Sequence, residues 1–79
     1  MGRLHTLGKI EIRVNGRDHL PPHFHVVHHD FQALVLIETM VIHKGSIPGA
    51  HLRAVIDWAV GNRDLIVAEW NRCNPRLQI

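Results

Sequence analysis

The chain has 79 residues, of which 46% are apolar and 20% charged, with one cysteine, no tyrosine and a formal net charge of +2 at pH 7. That length accommodates a single domain over residues 1–79, too apolar to stay disordered and far short of the ~20 continuous apolar residues of a membrane span. Lysine plus arginine match aspartate plus glutamate four to four in residues 1–40 and lead five to three in residues 41–79, too weak and mixed a balance for the footprint of a strong nucleic-acid binder.

Eight histidines stand out, six of them before residue 30. Below their unperturbed pKa of ~6.5 they make the chain clearly cationic, so RNA stays a secondary candidate partner. Arg3, His5, Lys9, Glu11 and Arg13 interrupt the N-terminal stretch too often for a signal peptide. The lone Cys73 excludes an internal disulfide and fits a reducing cytoplasm.

Along the chain, Leu7 to Asn15 alternates, with Ile10, Ile12 and Val14 on one side and Lys9, Glu11 and Arg13 on the other. This period of two predicts a strand with one buried face. Asn15-Gly16-Arg17-Asp18 is turn chemistry, and Pro21-Pro22 keeps the next residues extended. His23 to His28 alternates again, Phe24 and Val26 opposite His23 and His25. A turn at His29-Asp30 leads to the strongest strand, Phe31 to Glu38, and Thr39 to His43 predicts a short fourth. After Pro48-Gly49 the period changes to helical, with Leu52, Val55, Ile56, Ala59, Ile66, Val67 and Trp70 in one stripe. The stripe keeps phase through Gly61-Asn62, which predicts one long helix, with Gly61 as the point at which it could kink, ended by Asn74-Pro75.

The expected architecture is therefore α+β: a mainly antiparallel sheet of three to four strands covered on one face by a long C-terminal helix. The other face would carry Lys9, Glu11, Arg13, His23, His25, Leu34, Leu36 and Glu38. A face mixing charge, imidazole and leucine suits a partner, with Leu34 and Leu36 as anchors for a companion protein or a second copy. The thin core of so small a chain adds to that expectation, since only about 60% of its unfolded surface can be buried.

The densest chemistry is Asp18-His19-Leu20-Pro21-Pro22-His23-Phe24-His25-Val26. Two histidines at i and i+2 of a strand lie side by side on one face, a spacing that serves three roles. His23 and His25 could act as general acid and base on a phosphodiester, with Arg13 or Arg17 steadying the developing charge and no cofactor required. They could instead hold a divalent metal ion with a third ligand from Glu38, His19 or His43. Or they could be solvated residues of a non-catalytic binding face. Ser46, the one serine, has no triad context, and Cys73 has no neighbouring histidine. Trp58 and Trp70, about 3.3 helical turns apart, are expected to pack in the core.

The same stretch resembles the signature of the domain of unknown function 4160 family of small bacterial proteins. The resemblance runs through Asp18, His19, Pro21, Pro22, His23, Phe24, His25 and Val26. It continues in Asp30, Phe31, Ala33, Glu38, Gly45 and Pro48, then Trp58 and Trp70. Leu20 stands where a further proline is usual, Val27 where arginine or lysine is usual, and Leu36, Met40 and Val41 where polar residues or glycine are common. These departures make the open face more apolar. The resemblance implies a toxin-like component of a two-protein toxin–antitoxin-type module, centred on the His-Phe-His strand.

Overall fold

A computed structural model describes residues 2–79. The chain order is β1 (Gly2–Leu7), β2 (Ile10–Val14), β3 (His23–His28), β4 (Phe31–Leu36), β5 (Ile42–Gly45), α1 (Gly49–Gly61) and α2 (Arg63–Cys73). The five strands pair in that order, each antiparallel to the next. No helix among the described residues is long and apolar enough to cross a membrane.

The α+β class agrees with the sequence, but the sheet has five strands instead of three or four. The extra strand is β1. A bulge between Arg3 and His5 breaks its alternation, so its residues lack a period of two. Gly8, at φ +61°, makes the tight turn into β2. The last strand begins at Ile42, later than the expected start at Thr39, because Met40 takes a left-handed turn conformation and Leu36 and Val41 bond across it.

Two helices replace the single long one. Asn62 leaves the helical path at φ −128°, and its side-chain amide donates to the carbonyl of Trp58 at 2.8 Å, competing with the main-chain ladder. The stripe keeps phase regardless: Val55 and Ala59 of α1 and Ile66 and Trp70 of α2 are all buried. They close over Ile10, Ile12, Val14, Phe24, Val26, Ala33, Val35 and Ile37, with Ile47 at the edge. Phe31, Leu52 and Ile56 are partly buried against this core. Trp58 is also only partly buried, and its ring stacks on His5 at 4.5 Å. Arg63 opens α2 and donates to the carbonyls of Ile37 and Glu38, tying the helix start to the end of β4.

Register separates the two faces. Phe24 pairs with Val35 and Val26 with Ala33 beneath the helices. On the opposite side His25 pairs with Leu34 on one flank and Arg13 on the other. His23, paired with Leu36 where β3 begins, is instead buried against Trp70 of α2, which corrects its expected place on an open face.

Candidate functional site

The site is assembled where the loop between β2 and β3 folds against the end of α2. Gly16 makes the approach close, since a Cβ there would stand 3.2 Å from the carbonyl oxygen of Cys73. Arg17 comes next, in the left-handed region at φ 56°. Asn74, only 3% exposed, clamps this loop. Its Oδ1 accepts the main-chain N–H of Asp18 at 2.9 Å, and its Nδ2 donates to the carbonyls of Asn15 at 3.0 Å and Trp70 at 3.2 Å.

Asp18 is thereby aimed at the histidine pair. Its Oδ1 accepts the N–H of His19 at 2.9 Å, leaving Oδ2 at 3.0 Å from Nε2 of His23 and 3.0 Å from Nε2 of His25. Burial pushes the Asp18 carboxyl up. The opposing bond from His25, the N–H of His19 and the charges of the two imidazoles prevail, holding it below the ordinary carboxylate value.

His23 is the most constrained member. It is 5% exposed, its ring packing against Trp70 at 5.6 Å and His25 at 5.1 Å between centroids. The carbonyl of Pro21 can only accept, so at 2.8 Å it takes the proton of Nδ1. In the neutral ring that leaves Nε2 a bare lone pair facing a carboxylate oxygen, and in the protonated ring an N–H 3.0 Å from Asp18 Oδ2. Nε2 is a buried atom with no well-aligned hydrogen-bond partner. Two acceptors held this close repel unless a proton or a metal ion lies between them. His25 is more open, and Nδ2 of Asn15 lies 3.1 Å from its Nε2.

Asp18, His23 and His25 each offer one ligand atom, all within 4.8 Å of one another. The 3.0 Å separations match the cis edge of an octahedral ion with ligands at ~2.1 Å, and are shorter than the ~3.4 Å edge of a tetrahedral one. The backbone carbonyl behind His23 is the usual outer partner of a metal-ligating imidazole. A surface cavity of about 680 Å³ borders Asp18, and a groove of about 240 Å³ borders His25, so solvent reaches the cluster from two sides.

Not all of the expected residues meet here. His23 and His25 share the site, and Arg13 stands beside His25 across the sheet. Leu34 and Leu36 flank the pair, half-buried, on the same face. Glu38 lies exposed in the turn after β4, outside the cluster, as are the side chains of His19 and His43. The third acidic partner is Asp18, which is inside the signature and only five residues before His23; that proximity was the available signal. Asn15 and Asn74 carried no signal of their own. His28, His29 and Asp30 also lie within ligand distance. There Nδ1 of His28 already accepts the N–H of Asp30 at 3.1 Å, and the side chains of His29 and Asp30 are exposed, as befits a turn.

The fold and the cluster define a five-stranded α+β meander protein with a two-histidine, one-aspartate centre where the β2–β3 loop meets the end of α2. The chain belongs to the family described as Domain of unknown function (DUF4160), whose model matches residues 9–71. No curated protein and no solved structure matches the chain.

Proposed function

We propose that the chain binds one divalent transition-metal ion, of the zinc or ferrous class, through Asp18 Oδ2, His23 Nε2 and His25 Nε2. The single observation that carries this reading is the buried, unpartnered Nε2 of His23, whose lone pair is directed at a carboxylate while its other nitrogen is spent on Pro21. Three protein ligands leave coordination positions open, the arrangement of centres that act on a substrate or a bound water and unlike closed structural sites. An ion there would lower the pKa of a bound water or polarise a phosphoryl oxygen. The test is metal analysis of protein prepared without an affinity tag, then calorimetric titration of the metal-free protein with zinc. One equivalent is expected, lost in both Asp18→Asn and His23→Ala. Stoichiometric binding that survives both substitutions would refute the site.

A second reading is favoured by the pairing of Arg13 with His25. His25 would exchange protons with an RNA phosphodiester, Arg13 would steady the charge, and the buried His23 would orient the pair in a cytoplasmic, toxin-like module. Leu34 and Leu36 would dock the companion protein. Expression in bacteria tests this version. Growth inhibition that persists without both His23 and His25 would exclude catalysis by the pair.

A further inference from the structure

The strand registers place one row of residues straight across the open face. Arg3 pairs with Arg13, Arg13 with His25, His25 with Leu34, and Leu34 with Lys44. With strands ~4.8 Å apart, five strands make this row about 19 Å long. The row gathers Arg3, Arg13 and Lys44 on one face, with Asp18 against His25 and Glu11 between the two arginines as the acids beside it. Glu11 is the one acid among the described strand residues of this face, and it is shared by Arg3 at 3.8 Å and Arg13 at 3.4 Å. Both ion pairs are exposed, hence weak and readily exchanged for another anion. Nε of Arg13 is buried without a partner, and Lys44 has no carboxylate partner among the described residues.

We propose that this face binds the phosphodiester backbone of a single-stranded nucleic acid laid across the strands along the row from Arg3 to Lys44. A line of cations fits a chain of phosphates better than one isolated phosphate. Lys44 is two strands from His25, about 10 Å, too far for both to hold the same group. Between them the groove beside His25, lined by Val27, Gln32, Leu34 and Lys44, offers room for sugars and bases. The face carries neither a helix nor a projecting ribbon to enter a duplex groove, which favours a single strand. It also carries no phenylalanine or tryptophan for base stacking, so the binding is electrostatic and indifferent to sequence. This deepens the metal reading, since the strand would be delivered to the open side of His25, but the arginines and lysine act without the ion.

Fluorescence anisotropy of labelled single-stranded RNA and DNA of about 12 nucleotides tests the proposal. The protein is used both zinc-loaded and in EDTA. Both strands should bind at low salt, with log K falling against log salt at a slope of about −2, from three cations at ~0.7 each. Lys44→Gln and Arg13→Gln should each weaken binding several-fold and flatten the slope by about 0.7. Lys9→Gln, in the β1–β2 turn, should change neither. In EDTA the row should still bind, more weakly. Absence of binding at low salt, equal losses from Lys9→Gln and Lys44→Gln, or binding confined to inorganic phosphate would overturn the proposal. Abolition by EDTA alone would also overturn the row while leaving the metal reading intact.

Discussion

Asn74 accepts the main-chain N–H of Asp18 at 2.9 Å, so the residue that ends α2 holds the loop that supplies the acid of the site, 56 positions earlier in the chain. The side chain is almost fully buried and makes three hydrogen bonds to that loop and to its own helix. Asn74→Ala would leave the Asp18 N–H and the Asn15 carbonyl short of a partner, while the Trp70 carbonyl keeps the main-chain N–H of residue 74. The cost should be roughly 2–3 kcal/mol in urea denaturation, at about 1 kcal/mol or more per group. As an outer support of a ligand, its loss should also weaken zinc binding about 10–100-fold. Unchanged affinity in a folded variant would show that the clamp does not position Asp18.

Asp18→Asn separates metal binding from folding. An amide nitrogen in place of Oδ2 could donate to the bare Nε2 of His23, while the remaining oxygen still accepts the N–H of His19. This gain offsets the stabilisation lost with the carboxylate, whose lowered pKa marks its charge as favourable to the fold, so the metal-free variant should unfold within about 1 kcal/mol of wild type. Its zinc affinity should fall by more than the 10–100-fold typical of an outer partner. A large loss of metal-free stability would contradict the tautomer assigned to His23.

Cys73 supplies a pH-dependent probe. Burial, the bond it donates to Glu69 and the charge of Glu69 push its thiol above the ordinary 9.0, against a weaker pull from Arg72. Glu69→Gln removes the charge and should raise the rate of iodoacetamide alkylation at pH 8, because more thiolate forms. Glu69 itself is held low chiefly by the bond from Arg72, against burial. A lowered carboxyl stabilises the fold above its ordinary 4.5 and loses that contribution as pH falls through the lowered value. The stability gap between wild type and Glu69→Gln should therefore narrow in acid; a gap that widens there would reverse the assignment.

Two glycines contrast backbone strain with steric contact. Gly8 and Gly45 are both left-handed, at φ +61° and +82°. A Cβ at Gly8 meets nothing within 4 Å, so Gly8→Ala should cost only the conformational penalty of about 1–2 kcal/mol. A Cβ at Gly45 would strike the main chain of Gln32 and Ala33, and relief requires opening the β4–β5 pairing. Gly45→Ala should lose about 3 kcal/mol or more by thermal or urea unfolding. Similar losses at the two positions would argue against that close approach.

Features set by neighbours along the chain were legible before folding. Alternation over Ile10 to Val14 and His23 to His28 put Ile10, Ile12, Val14, Phe24 and Val26 in the core and His25 beside Arg13 on the other side, because side chains of a strand must alternate. It did not foresee that His23, at the strand's start, packs on Trp70. Helical spacing chose Val55, Ala59, Ile66 and Trp70 as the covering stripe, and that stripe outlasted the break at Asn62. A local irregularity was enough to hide β1, where one bulged residue shifts the alternation.

Only the tertiary structure decided what the histidines meet. Asp18 turns toward them because Asn74 and Gly16 seat its loop on the end of α2, and no short-range pattern links residues so far apart. The Arg3-to-Lys44 row likewise depends on registers between separate strands, each set by core packing on the opposite face and by turn lengths. Composition counted eight histidines and a small net charge. Folding brought two of those histidines and one aspartate into a partly buried polar centre, and lined up Arg3, Arg13 and Lys44 across the neighbouring face.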